Sequence, residues 1–331
     1  MIFINERNYS YLLENDCSIV ITGDSLAYNR YDFVDEPRMN AYDCPLGMQS
    51  WSFLFRDFLI RSTPGWKPAS SFEISGLYSR VPYLQHLPFA GEGIILETNK
   101  PTDIHIKGCP EFLYFITDPS KGALFEIEDK LLSLKGNPEF FEGYSIEIHR
   151  CHDGILKNVR EDSRIILIGG ANTRMDVHLT GSGSKTAEWL ISNSNERILR
   201  YKPSLCIMII GANNRRMKDP ESFKGALKSI IEELYDAKSE IVLVSPPHSS
   251  TTDPPEGDDS IFLPDPEITK PILDATYELA TKYNITMMNL FEFFSGYNSH
   301  VWRFDNTHFT KTGNLMLFEA LKGALFERGL K

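Results

Sequence analysis

The sequence predicts a three-layer α/β/α fold around a parallel sheet, interrupted by a β-rich insertion. From residue 176 onward, apolar strands alternate with helical stretches, which is typical of a parallel sheet covered by helices on both faces. One further strand, 18–22, lies far upstream and ends at a glycine, as a buried parallel strand does. The segment between them has a different pattern. We therefore expect a discontinuous α/β domain, 1–65 with 176–331, and an inserted domain, 66–175.

The inserted segment is expected to form an antiparallel β-sandwich or barrel. Short apolar runs follow one another closely between about residues 64 and 176, and turn residues separate them. Close spacing with turn signals favours antiparallel sheets. The runs are GIILE, DIHIK, FLYFIT, ALFEIE, SIEIH and RIILIG. Before this segment, large apolar side chains recur at helical spacing and predict a helix over 48–61.

The second part of the α/β domain contains a regular series of elements. Asp219 followed by Pro220 is typical of a helix start, because the carboxylate caps free N–H groups and proline fits the first turn. Helices are also expected after residue 183, around 272–280 and around 317–325. Strands are expected at 176–179, 205–210, 240–245 and 285–289.

Composition and charge limit the classes of protein to which this chain can belong. Of the 331 residues, 42% are hydrophobic and 24% are charged, which is ordinary for a soluble globular protein. The formal net charge of −11, without a Lys/Arg cluster, argues against a nucleic acid or an anionic membrane as partner. No apolar run approaches the ~18 residues that span a bilayer, and the N-terminus does not resemble a signal peptide. We expect a cytoplasmic protein, or a secreted one if a leader has been removed.

The cysteines argue against a disulfide framework. Their number is odd, their spacing is scattered and no C-x-x-C pair occurs, which fits a reducing compartment. Two of them, Cys17 and Cys206, lie in or beside apolar runs and are expected to be buried and inert. The full set is Cys17, Cys44, Cys109, Cys151 and Cys206.

One cluster has the side chains of a metal site. On a strand, His149, Cys151 and Asp153 would share a face. Three ligands from one strand are poorly placed for a zinc tetrahedron, so we interpret the cluster as a solvated strand end. We expect neither a metal nor an organic cofactor.

Four short motifs lie at strand ends or before the last helix, where an open α/β sheet binds its ligands. Each taken singly is also an ordinary turn or helix cap. Together they supply a serine nucleophile, a loop glycine, a side-chain amide and an acid–histidine pair, which suits acyl transfer. The motifs are Gly23-Asp24-Ser25, Gly181-Ser182-Gly183, Gly211-Ala212-Asn213-Asn214 and Asp305-Asn306-Thr307-His308.

This set resembles the SGNH, or GDSL-type, hydrolases, whose name lists its four residue types. The matching blocks are ITGDSLA at 21–27, SGSKTAEWL at 182–190, GANN at 211–214 and DNTH at 305–308. The resemblance covers about residues 1–65 and 176–331, and it implies a flavodoxin-like sheet. The chain departs from the family in two respects. Asn214 replaces the usual aspartate of the third block, and the β-rich segment separates Ser25 from Gly183.

The resemblance implies a role for each motif residue. Ser25 is expected to be the nucleophile, His308 the general base and Asp305 the residue that orients the histidine. The backbone N–H groups of Ser25 and Gly183 and the side-chain amide of Asn213 are expected to form the oxyanion hole. No further group is required for this chemistry.

The expected activity is hydrolysis of a carboxylic ester, with an O-acetylated carbohydrate or a short-chain acyl ester as the substrate. Two alternatives remain: an O-acyltransferase with the same triad, and a glycan-binding protein on a lapsed hydrolase fold. The insertion either binds a carbohydrate or has a structural or dimerisation role, and the oligomeric state stays open. Its aromatic side chains therefore either contact a glycan or form the core: Phe112, Tyr114, Phe115, Phe125, Phe140, Phe141 and Tyr144.

Overall fold

The protein is described here by a computed structural model. It describes residues 2–28, 50–82, 92–116, 123–134, 146–214, 219–247, 266–303 and 308–327. In these ranges, every helix is too short or too polar to cross a bilayer.

The strands and helices are labelled separately in chain order. The strands are β1 (Phe3–Ile4), β2 (Cys17–Gly23), β3 (Lys67–Pro68), β4 (Glu73–Ser75), β5 (Ser79–Pro82), β6 (Ile94–Glu97), β7 (Thr102–Lys107), β8 (Phe112–Ile116), β9 (Ala123–Ile127), β10 (Lys130–Leu134), β11 (Ile146–Arg150), β12 (Ile155–Val159), β13 (Arg164–Ala171), β14 (Met175–Leu179), β15 (Leu205–Ile209), β16 (Glu240–Val244) and β17 (Thr286–Met288). The helices are α1 (Ser25–Tyr28), α2 (Trp51–Arg61), α3 (Ala187–Ser192), α4 (Ser194–Arg197), α5 (Pro220–Asp236), α6 (Pro266–Lys282), α7 (Leu290–Ser295), α8 (Ser299–Trp302) and α9 (Lys311–Lys322).

A mostly parallel sheet forms the centre of the molecule. Its strand order is β1-β17-β16-β15-β2-β14, and only the short edge strand β1 pairs antiparallel. Without β1, the order in terms of chain position is 2-1-3-4-5, which is that of flavodoxin-like sheets. The predicted α/β fold with a parallel sheet is therefore confirmed. The carboxyl ends of β2, β14 and β15 lie next to one another at one edge.

Helices cover both faces of this sheet. Alternate side chains of a strand point to opposite faces. Ile21 of β2 belongs to a buried apolar cluster with Phe55 of α2 and Leu317 of α9. Its neighbour Val20 belongs to another cluster, together with Phe223 of α5. Because strands in such a sheet are buried on both sides, their sequences are continuous apolar runs without alternation.

The chain between α2 and β14 forms two antiparallel sheets. One has the order β10-β9-β12-β7-β4, and the other has the order β11-β8-β13-β6-β5, with β3 paired to β13. Phe125 of the first sheet and Phe115 of the second belong to the same apolar cluster. The opposite face of β8 carries Tyr114, which belongs to the cluster beneath the parallel sheet. Strand β8 is consequently buried on both sides.

The tyrosine of β8 connects the two parts of the structure by hydrogen bonds. The Tyr114 hydroxyl accepts from the Met175 N–H at 2.9 Å and donates to the Thr173 carbonyl at 3.1 Å. Both partners lie where the chain returns from the inserted sheets into β14. This contact fixes the start of a strand whose other end leads to Gly183.

Four of the aromatic residues expected either to contact a glycan or to form the core are core residues. Phe112, Tyr114, Phe115 and Phe125 are each at most 4% exposed, so they do not form a binding surface. Phe140, Phe141 and Tyr144 lie outside the described residues.

The three side chains considered as possible metal ligands do not lie on one strand. Strand β11 stops at Arg150, so Cys151 and Asp153 do not continue the face of His149. The Asp153 carboxylate accepts the Ile155 N–H at 3.1 Å and thereby closes the turn into β12. Within the described ranges, no group of three His, Cys, Asp or Glu side chains is arranged to hold a metal ion.

Candidate active site

The serine loop, residues 23–25, begins with a glycine that no other residue can replace without strain. Gly23 has a φ of +137°, and a Cβ added to it would lie 1.7 Å from the carbonyl oxygen of Ile209. The end of β2 therefore passes directly against the end of β15. Ser25 follows as the first residue of α1, at the carboxyl edge of the sheet.

Asp24 fixes the conformation of the serine loop. Its side chain is fully buried, and one carboxylate oxygen accepts the Leu26 N–H at 2.9 Å. The other oxygen accepts the N–H of Ala212, 188 positions away, at 3.0 Å. A helix cap was the alternative expected for this motif, and Asp24 in addition joins the serine loop to the asparagine loop, residues 210–214.

The predicted nucleophile and base are in hydrogen-bonding contact. The Ser25 Oγ lies 2.9 Å from the His308 Nε2, although the two residues are 283 positions apart. Only 9% of Ser25 is exposed, and His308 is half-buried. A neutral imidazole at this distance can accept the hydroxyl proton. Asp305, the predicted orienting acid, lies outside the described residues.

The residues after His308 hold it in place. Phe309 pairs with Arg303 in a single β-bridge, and its ring is fully buried near Phe294. The Thr310 hydroxyl then accepts the Gly313 N–H at 3.0 Å and caps α9. Because the bridge and the cap both fix the backbone, the imidazole projects from an ordered segment.

The glycine loop, residues 180–186, contacts both of the other loops. The Ser182 N–H donates to the Gly23 carbonyl at 3.0 Å, which brings Gly183 beside the serine loop. The Asn213 side-chain amide donates to the Lys185 carbonyl at 2.9 Å. An amide nitrogen carries two hydrogens, so Asn213 has a second donor. The three predicted oxyanion donors thus lie on three loops that are hydrogen-bonded to one another.

Asn214, which replaces the usual aspartate of the third block, connects the asparagine loop to α3. Asn214 is buried, and its side-chain oxygen accepts the Ala187 N–H at 3.0 Å. Its side-chain nitrogen donates to a Glu188 carboxylate oxygen at 2.8 Å. The asparagine loop is therefore anchored to the first turn of α3, directly after the glycine loop.

Comparison with known proteins gives structural neighbours only. Neither a protein-family model nor a curated protein sequence matches the chain. A solved peptidoglycan O-acetylesterase matches with 12% identity and a TM-score of 0.47, over 94% of this chain and 90% of the other. An acetyl xylan esterase, AlAXEase, matches with 17% identity and a TM-score of 0.40, over 46% and 82%. A lipase/acylhydrolase from Enterococcus faecalis matches with 19% identity and a TM-score of 0.37, over 45% and 77%.

The chain resembles SGNH-type ester hydrolases. The motifs carry this resemblance, and the three motifs within the described residues lie together at one edge of the sheet.

Proposed function

We propose that this protein is a carboxylic ester hydrolase with Ser25 as its nucleophile. The observation that carries the proposal is the 2.9 Å contact between the Ser25 hydroxyl and the His308 Nε2 at the carboxyl edge of the parallel sheet. A surface serine has no need of an imidazole partner, whereas a nucleophilic serine requires a base within hydrogen-bonding distance.

The reaction follows from the positions of these groups. Ser25 attacks the acyl carbonyl while His308 takes the hydroxyl proton, and His308 then returns this proton to the leaving alcohol. Water next attacks the acyl-enzyme, with His308 again as the base. Asp305 is proposed to orient the imidazole and to stabilise its charged form.

The oxyanion of the tetrahedral intermediate is proposed to bind the backbone N–H groups of Ser25 and Gly183 and the side-chain amide of Asn213. These donors belong to the serine, glycine and asparagine loops. Because buried hydrogen bonds connect the loops, the donors do not have to be reorganised during the reaction. One such donor is worth about 10²–10³ in rate.

We also propose the nature of the substrate and of the insertion. Residues 66–175 are assigned to a β-sandwich-like inserted domain, which is supported by the apolar cluster that its two sheets share. Residues 1–65 and 176–331 are assigned to the hydrolase domain. Deacetylation of an O-acetylated carbohydrate is the first activity to test, and this choice is by analogy with the fold.

The proposal is tested by acetate release from acetylated sugars and short p-nitrophenyl esters. We expect hydrolysis by the parent protein and a loss of about 10⁴-fold or more in kcat for Ser25→Ala, because the nucleophile is removed. Ser229→Ala is the matched control, since it removes an exposed hydroxyl of α5 that donates to the Gly225 carbonyl at 3.1 Å. Full activity of Ser25→Ala would refute the assignment. Transfer of acetyl to an added sugar, without acetate release, would identify an acyltransferase instead.

A further inference from the structure

Glu188 and Asn214 connect the glycine loop to the asparagine loop through a polar network. Beyond its contact with Asn214, the Glu188 carboxylate accepts the Ser222 hydroxyl at 2.8 Å with its other oxygen. Ser222 lies in the first turn of α5. One carboxylate therefore joins three elements that surround the site: α3, the asparagine loop and α5.

The network requires an amide at position 214. The Asn214 oxygen accepts from Ala187 while its nitrogen donates to Glu188. An ionised aspartate has acceptors only, and it would place a second carboxylate against Glu188. Burial raises the Glu188 pKa, but hydrogen bonds from its own N–H, Thr186, Ser222 and Asn214 outweigh this effect and lower the pKa below its ordinary value. Glu188 is thus the anion to which Asn214 donates.

We propose that Glu188 is a positioning residue that acts through Asn214 to set the spacing of two oxyanion donors. Asn213 precedes Asn214 in the chain and donates to Lys185, two residues after Gly183. A displacement of Asn214 from α3 therefore moves Asn213 relative to Gly183. The inference rests on the proposed function and extends it: the aspartate that the family usually has is incompatible with Glu188 in this chain.

The experiment first replaces Asn214 by the aspartate that is usual in the family, and then adds a compensating substitution at Glu188. Asn214→Asp is expected to lower kcat for ester hydrolysis by about 10–100-fold at pH 8, because a small misplacement of the catalytic groups is costly. The activity of the variant relative to the parent should rise as the pH falls, since one carboxyl of the pair then binds a proton and donates. Asn214→Asp with Glu188→Gln should recover most of kcat, because the glutamine amide donates to the new carboxylate.

Asn193→Asp is the matched control. It introduces the same charge at the end of α3, where Asn193 donates to the Trp189 carbonyl at 2.7 Å, outside the Glu188 network. Its kcat should stay close to that of the parent. Unchanged kcat in Asn214→Asp, or no recovery in the double variant, would overturn the positioning role. Absence of Ser25-dependent hydrolysis in the parent protein would instead refute the proposed function itself.

Discussion

The contact between the Ser25 hydroxyl and the His308 Nε2, at 2.9 Å, is the feature of single residues on which the proposed activity depends. Both lie in short motifs at the ends of expected elements, and parallel strands bring their carboxyl ends to one edge. A helix cap was one interpretation of Asp24, and its carboxylate does accept the Leu26 N–H, but its contact with the asparagine loop was not anticipated. Its partner, the N–H of Ala212, is 188 positions away, and the sequence carries no signal for such a contact.

At the residue scale, removal of the proposed base tests its role. His308→Ala is expected to lower kcat by about 10⁴-fold or more, because the nucleophile loses its proton acceptor. Added imidazole should restore part of the activity if the space left by the side chain admits it. His152→Ala, an exposed histidine of the inserted sheets, is the control in the same kinetic assay. Equal activity of the two variants would contradict the assignment.

The proposed role of the Asn213 side-chain amide as an oxyanion donor is tested by removing the amide. Asn213→Ala is expected to reduce kcat by about 10²–10³ while KM changes little, because the donor acts mainly in the transition state. Steady-state kinetics with one ester substrate separate the two constants. The exposed Asn15, whose amide contacts only its own turn in the described structure, provides a control as Asn15→Ala. A change confined to KM would argue against an oxyanion donor.

At the element scale, the sequence predicted the long apolar strands of the α/β domain and its helices α2, α3, α5, α6 and α9, but not the short helices α4, α7 and α8. It missed β1, β3, β4, β5, β10 and β12. Strands β1 and β3 span two residues each, and a period of two cannot be recognised over that length. They exist because a neighbouring strand offers free hydrogen-bonding groups. The start of α5 was predicted correctly: Asp219 caps the Ser222 N–H at 2.9 Å, and Pro220 follows.

Gly23 provides a stability test at this scale. Gly23→Ala is expected to destabilise the protein by more than the about 1–3 kcal/mol of backbone strain, because its Cβ also meets the backbone of β15. Gly225→Ala, in the interior of α5 with nothing within 4 Å of the added Cβ, should stabilise by about 0.5–1 kcal/mol. Chemical denaturation measures the free energy of unfolding of both variants. A neutral Gly23→Ala would show that the loop relaxes.

At the scale of the whole molecule, the sequence predicts an α/β segment and a β-rich segment, but it does not predict how they contact each other. The two faces of β8 belong to different apolar clusters. Its FLYFI sequence is uniformly apolar, so it does not reveal which side packs against the parallel sheet. The hydrogen bonds of Tyr114 to Thr173 and Met175, at the start of β14, likewise depend on how the chain returns to the parallel sheet.

The variant Tyr114→Phe measures how much the Tyr114 hydroxyl contributes to the free energy of unfolding. The variant keeps the ring but leaves the Met175 N–H without its acceptor. We expect a loss of about 1–3 kcal/mol in the free energy of unfolding, as for an unsatisfied buried donor. Tyr11→Phe, at an exposed tyrosine, is the control. Equal stability of the two variants would show that the hydroxyl does not hold the inserted sheets to the parallel sheet.

Ser25 is proposed to be a nucleophile that His308 activates. A fluorophosphonate reagent reacts covalently with such a serine, and peptide mass spectrometry locates the adduct. We predict a single adduct on Ser25 in the folded protein, strongly reduced labelling in His308→Ala and none at position 25 in Ser25→Ala. Folded protein that stays unlabelled, or that is labelled on another serine, would contradict this role of Ser25.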